Sequence, residues 1–137
     1  MEAFVLDVSS YMPWCCEGES NEASEEMLQL AIDGAVLHVP SVWTWEILNT
    51  VSVVVRRRRI SADRGLAFLE QLVSFNFQID RAPKVVDFSK LYSLANLHPL
   101  TAYDAAYLDL AKRLALPLAT RDVDLSRAAN AEGVVII

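Results

Sequence analysis

Apolar positions along the chain follow two rhythms. Short runs rich in apolar residues at 3–6, 36–39, 75–79, 117–120 and 134–137 have the length of strands. Between them, apolar residues recur three and four apart, the spacing of one face of a helix. This predicts helices over 9–16, 21–32 and 41–57, from 61, from 83, from 101, and over 124–132. The helix over 21–32 has Ala23, Met27, Leu30 and Ala31 on its expected inner face; that over 41–57 is mostly apolar around it, with Val42, Trp45, Ile47, Leu48 and Val51; and that from 61 has Leu66, Leu69, Leu72 and Val73 at helical spacing. The helix from 83 contains Val86, Leu91, Leu94 and Ala95, and the one from 101 is expected to turn Tyr103, Ala106, Tyr107, Leu110, Ala111 and Leu114 inward. Punctuation agrees. Asn21 suits a helix N-cap, Asp33-Gly34 and Gly133 suit helix ends, Pro40 closes a strand, and 17–19 reads as a loop.

Strands alternating with helices predict an α/β fold whose sheet is mainly parallel, with four to five short strands, about seven helices, and helices on both faces. At 137 residues, with no repeat or linker, residues 1–137 read as a single domain. The 53% hydrophobic content and mean hydropathy of +0.26 exclude disorder and agree with doubly covered strands. The most apolar stretch, 35–55, is broken by His38, Pro40, Glu46 and Asn49, so no membrane span is expected. No basic segment opens the chain and Asp7 interrupts its first apolar run, so a cytoplasmic location is the expectation. Adjacent Cys15 and Cys16 read as reduced, semi-buried thiols.

Charge alters the picture through its distribution. The formal net charge of −6 argues at first against a nucleic-acid partner. Yet residues 1–55 hold nine acids and no Lys or Arg, whereas 56–137 hold all 12 basic residues, beginning with Arg56-Arg57-Arg58-Arg59. That run is either a solvated helix end, favoured by the C-terminal dipole, or part of a binding surface with Lys112, Arg113 and Arg121. The location of charge outweighs its sum.

Sites in parallel α/β folds gather beyond the carboxyl ends of the strands. Asp7 directly follows the first strand and Asp122 the fourth, while Glu46 and Asp104 lie early in helices. Each is set among apolar neighbours, where a lone carboxylate is costly. Carboxylates held together either take up protons or share a hard cation, and oxygen-only ligands select Mg²⁺ or Mn²⁺. Cys15, Cys16, His38 and His98 have no zinc-ligand spacing. Such an ion suits phosphodiester hydrolysis. Structural roles compete: Asp104 as part of a Thr101 capping box, Asp122 and Asp124 as first-turn acids, Glu46 as an ion-pair partner.

The segments Val5-Leu6-Asp7-Val8-Ser9, Trp45-Glu46-Ile47-Leu48-Asn49, Thr101-Ala102-Tyr103-Asp104-Ala105-Ala106-Tyr107-Leu108 and Leu116-Pro117-Leu118-Ala119-Thr120-Arg121-Asp122 resemble the PIN-domain family, most closely its VapC-type toxins. They cover nearly the whole chain in order, and the second pair is the more specific. The resemblance implies a three-layer α/β/α fold and a Mg²⁺- or Mn²⁺-dependent endoribonuclease, silenced by a cognate VapB-type antitoxin. It places Asp7, Glu46, Asp104 and Asp122 on the family's acidic quartet, as metal contacts or water-orienting groups. Ser9 and Thr120 match polar neighbours of that quartet. Asn49 shares a helix face with Glu46, and Asp124 either supplements or replaces Asp122. Competing readings are a non-catalytic PIN-like module, a phospho-acceptor receiver domain, and a nuclease acting on DNA. A receiver calls for a Lys beyond a late strand, and none follows Lys112. Trp14, Trp43 and Trp45 are divided between the core and a homodimer or antitoxin interface.

Overall fold

The computed structural model describes residues 2–16 and 20–137. The loop expected over 17–19 lies outside them. Four strands are described: β1 (Ala3–Leu6), β2 (Val36–Val39), β3 (Asn76–Ile79) and β4 (Leu118–Ala119). They form one parallel sheet in the order β3-β2-β1-β4. Seven helices accompany them: α1 (Val8–Tyr11), α2 (Glu22–Ile32), α3 (Trp43–Arg56), α4 (Ala62–Gln71), α5 (Phe88–Leu97), α6 (Ala102–Leu114) and α7 (Val123–Ala131). The run 134–137, expected as a fifth strand, makes only an isolated parallel bridge, Ile136 to Leu118. A two-residue β4 offers it no longer ladder.

The chain builds β1, β2 and β3 in one direction, then returns to lay β4 on the far side of β1. Right-handed crossovers put α1–α4 on one face of the sheet and α5–α6 on the other. The reversal lies between β1 and β4, so the crevice beyond their carboxyl ends is the favoured place for a site. β1 is the buried centre: Phe4, Val5 and Leu6 are fully covered, as are Leu37, Val39, Leu118 and Ala119. On one face an aromatic cluster fills the core, with Trp43 stacked on Phe77 at 4.6 Å and Tyr11 on Phe68 at 6.4 Å. β3 is less buried than a doubly covered strand, because it is the sheet edge; only Phe77 is partly covered there.

Local chemistry accounts for the helix ends. The Asn21 and Ser61 side chains accept the amides of Ser24 and Arg64. Gly133, at φ +77, takes the left-handed conformation that ends α7. Helices α3 and α4 meet at Gly65, where a Cβ would lie 2.9 Å from Val55 Cγ2 and 3.1 Å from Val51 Cγ1. Burial also pushes the Cys15 thiol up to about 11, and both cysteines are free and buried.

Ala23 and Tyr103, expected to face inward, are exposed, and so are Trp45, Leu48, Leu66, Val73 and Val86, while Ser24, Trp43, Val54, Gly65 and Phe68 take inner positions. In α2, Met27 and Ala31 are buried as expected and Ser24 joins them in place of Ala23. In α3 the stripe Trp43, Ile47, Val51 and Val54 leaves Trp45 on the opposite side.

Candidate active site

The β1–β4 pairing places the first acid. The Asp7 amide donates to Ala119 O at 3.0 Å, extending the ladder one step beyond Leu6 and Ala119. This brings Asp7 beside Thr120. Both are buried, at 7% and 6% exposure. Thr120 Oγ1 donates to Asp7 Oδ2 at 2.7 Å, and Ser9 Oγ donates to the same oxygen at 2.8 Å. The two hydroxyls in turn accept backbone amides, Thr120 from Asp122 at 3.1 Å and Ser9 from Arg121 at 2.9 Å. Each hydroxyl has one proton, and an amide approaches its lone pair. The relay therefore orients both O–H bonds toward Asp7.

The remaining acids arrive on helix starts. Asp122 caps α7, its Oδ1 accepting the Leu125 amide at 2.8 Å. Asp104 occupies the first turn of α6, its amide bonded to Thr101 Oγ1 at 3.1 Å, so the capping role and the site position coincide. Glu46 lies in the first turn of α3, and its Oε1 accepts the hydroxyl of buried Tyr107 at 2.5 Å. That bond ties α3 to α6. Sequence reasoning assigned Tyr107 to the core alone. The available signal was that a buried tyrosine hydroxyl needs a partner, and Glu46 supplies it.

The electrostatics mark these acids as mutual neighbours. Burial raises the Asp7 carboxyl above its ordinary 3.8, opposed by the Thr120 and Ser9 bonds and reinforced by Asp122. Burial also raises Asp104, with repulsion from Asp122, Asp7 and Asp124 adding to it. Glu46 is raised by burial, against the Tyr107 bond, with Asp7 and Asp104 pushing the same way. Three raised carboxyls at one strand edge are an arrangement that a cation relieves. The donors are all oxygens. Among the described residues, no three His, Cys, Asp or Glu side chains lie close enough to form a metal cage by themselves. Mg²⁺ keeps several of its waters and can reach carboxylates through them, and an all-oxygen donor set is the kind it takes.

The other candidates are dispersed. Asp124 is exposed and pairs with Arg127 at 3.0 Å, yet lies near enough to act on Asp104. Asn49 is exposed one turn beyond Glu46. Arg121 adjoins the acids through its amide bond to Ser9. Arg56–Arg59 begin ten residues beyond Glu46, about 15 Å along α3. Lys112 pairs with Glu132, which also bonds His98 at 2.8 Å. Arg113 bridges Asp109 at 2.8 Å and Asp80 at 2.5 Å. The expected basic rim is thus not a ring around the acids: two of its members sit in internal ion pairs and four lie toward the far end of a helix.

The chain is similar to known proteins in sequence and in fold. The sequence model of the PIN domain matches residues 5–131. Ribonuclease VapC3 of Pyrobaculum aerophilum is 29% identical over 126 residues, 89% of this chain and 91% of that protein. The crystal structure of PAE2754 from Pyrobaculum aerophilum aligns with a TM-score of 0.71 at 19% identity, covering 98% of this chain and 83% of that one. FitAcB from Neisseria gonorrhoeae aligns at 0.65 with 18% identity, covering 98% and 96%. The two structures share the α/β architecture described above.

Proposed function

Because the chain belongs to the PIN-domain family, we propose that it is a Mg²⁺- or Mn²⁺-dependent endoribonuclease toxin of the VapC type, acting in the cytoplasm. The observation that carries the reading is the set of raised carboxyls, Asp7, Glu46 and Asp104, brought to the β1–β4 crevice together with Asp122. The relative named Ribonuclease VapC3 supports the choice of RNA and of the toxin class. Asp7, Asp104 and Asp122 would hold the ion, directly or through waters, with Asp124 at the margin. When bound, the ion lowers the pKa of a water and offsets charge on the phosphoryl oxygen. Thr120 and Ser9 aim Asp7 and oppose the rise that burial imposes on its carboxyl. Tyr107 holds Glu46, which orients the attacking water and receives its proton. Asn49 supports the Glu46 face, and Arg121 meets a phosphate, with Arg56–Arg59, Lys112 and Arg113 as more distant contacts.

The test is cleavage of RNA by the purified chain with Mg²⁺ or Mn²⁺, with chelator, and by folded Asp7→Asn and Asp104→Asn. Metal-dependent cleavage lost in both variants is expected. Undiminished cleavage by either variant removes the assignment. Preference for DNA, or binding without cutting, would move the chain to the competing readings.

Two partners complete the proposal. A VapB-type antitoxin would lay an apolar segment in the groove of about 360 Å³ lined by Ala23, Met27, Leu30, Ile137 and Arg121, which leads to Ser10 beside the acids. A second copy of the chain would cover α5, which buries none of its residues and, with the turn before it, exposes Val85, Val86, Phe88, Tyr92 and Leu97. Co-expression should silence the toxin, and light scattering should give twice the mass of one chain. Harmless expression of an intact, soluble chain alone would count against the toxin class.

A further inference from the structure

Behind the acids lies a layer of buried aromatic side chains with polar tips. Each stands about one helical turn from an acid of the crevice: Tyr11 four positions after Asp7, Trp43 three before Glu46, Tyr107 three after Asp104. Tyr11 and Tyr107 are fully buried and Trp43 is 6% exposed. Tyr107 has its partner, Glu46 Oε1. The other two polar tips do not: the Tyr11 hydroxyl and Trp43 Nε1 are buried and make no hydrogen bond of good geometry to another described atom. Such groups are rare in folded proteins, because each leaves its desolvation uncompensated. These two belong to one place. Their rings are centred 6.4 Å apart at 52°, and the indole N–H is close enough to act on the hydroxyl. Burial above all, then the charges of Asp7 and Glu46, hold the proton on that hydroxyl, so both acids lie within its electrostatic reach.

We propose that Tyr11 and Trp43 hold one buried water that ties Asp7 to Glu46, which makes Tyr11 a positioning residue for the acid site. The proposal rests on the nuclease reading and deepens it. The polarity of the groups sets the order. An indole N–H only donates, an ionised carboxylate only accepts, and a hydroxyl does both. Trp43 Nε1 therefore donates to the Tyr11 oxygen, and the Tyr11 O–H donates to the water. The water gives one proton to each carboxylate. Three bonds are what a buried water ordinarily makes. The acids have capacity for it. Asp7 takes Thr120 and Ser9 on Oδ2, and Glu46 takes Tyr107 on Oε1, so the second oxygen of each is left without a described side-chain donor. The two carboxylates also repel: Asp7 adds to the rise that burial imposes on Glu46. A water that donates to both offsets this repulsion from the core side. It fixes the gap between the end of β1 and the start of α3 before any ion binds.

The test begins without metal or RNA, on the full chain and on Tyr11→Phe, which removes one oxygen and keeps the ring beside Trp43 and Phe68. Proton–nitrogen spectra resolve the indole N–H groups of Trp14, Trp43 and Trp45. Trp14 donates to Ser24 O at 3.0 Å and Trp45 is exposed, so these two serve as references. Trp14→Phe and Trp45→Phe assign them, and the remaining signal is Trp43. In Tyr11→Phe the Trp43 signal alone should move. Glu46→Gln should move it too, but not once Tyr11→Phe is present. The urea midpoint of Tyr11→Phe should fall, because a bonded hydroxyl is lost. An unmoved Trp43 signal, or a midpoint at or above the parent's, marks a hydroxyl without a partner and overturns the proposal. So does a Glu46→Gln effect that is equal with and without the hydroxyl. With Mg²⁺ and RNA, Tyr11→Phe should lower kcat about 10-fold, the lower end for a lost outer partner of a metal site, and leave KM within about 2-fold. An unchanged kcat removes the positioning role. Failure of the nuclease reading looks different: the wild-type chain cuts no RNA, while the Trp43 shift and the lowered midpoint persist.

Discussion

Thr120→Val isolates the relay that holds Asp7. Valine keeps the shape of threonine and removes the hydroxyl. Two bonds go with it: the 2.7 Å donation to Asp7 Oδ2 and the 3.1 Å acceptance from the Asp122 amide. A hydrogen bond to a charged group contributes about 1.5–3 kcal/mol and a neutral one about 1 kcal/mol. The variant should therefore lose about 2–4 kcal/mol where Asp7 is ionised. Where Asp7 is protonated the first bond falls to the neutral range and the loss to about 2 kcal/mol or less. The sign follows from the carboxyl. Its folded value is already above 3.8, and the Thr120 bond opposes that rise. Removing the bond raises it further, so the variant's deficit grows as pH climbs through the folded Asp7 value. Urea unfolding of both proteins at matched acidic and neutral pH, repeated in Asp7→Asn, measures this. An equal deficit at both pH values, unchanged in Asp7→Asn, would refute the charge-assisted relay.

Asp104→Asn should abolish cleavage yet raise the melting temperature of the metal-free protein, because it relieves repulsion with Asp122 and Asp7; a lower melting temperature with intact fold would contradict this. The raised Asp7, Glu46 and Asp104 contribute most stability below their ordinary values and lose it as pH rises through their folded ones. Mg²⁺ should therefore raise the melting temperature more at neutral than at mildly acidic pH, and chelator should reverse the gain. Tyr107→Phe removes the bond that opposes the rise in Glu46, so the acidic limb of the rate–pH profile should move to higher pH. Gly65→Ala should cost about 1–3 kcal/mol in unfolding experiments, since its Cβ would press on Val55 and Val51 across the α3–α4 contact.

The parallel architecture was legible because strands covered on both faces lose their polar rhythm, as Phe4-Val5-Leu6 does. Asp7 and Asp122 stood out as candidates because they follow apolar strands, and Glu46 and Asp104 because they sit among apolar neighbours early in helices. Rotational details were not. Trp45 has the composition of a core residue, and only the tertiary choice of Trp43, Ile47 and Val51 turned it outward. The Tyr107–Glu46 bond spans 61 positions and leaves no local signature. The ion pairs of Arg113 and Lys112 were hidden for a similar reason: their partners Asp80 and Glu132 lie 33 and 20 positions away. Charges that look available in the sequence are committed in space.

The bond from Thr120 to Asp7 also has a consequence in time. Its ends are separated by 113 positions, and Ser9, Arg121 and Asp122 close the same relay. At about 5–20 residues per second, a ribosome makes Thr120 roughly 6–23 s after Asp7. Until then the strand that carries Asp7 lacks the neighbour that aims it, and α7 with its capping acid does not exist. A growing chain thus carries Asp7 without the partners that aim it until Thr120 has been made. Under the proposed function, the topology would withhold activity until Thr120, Arg121 and Asp122 have been made.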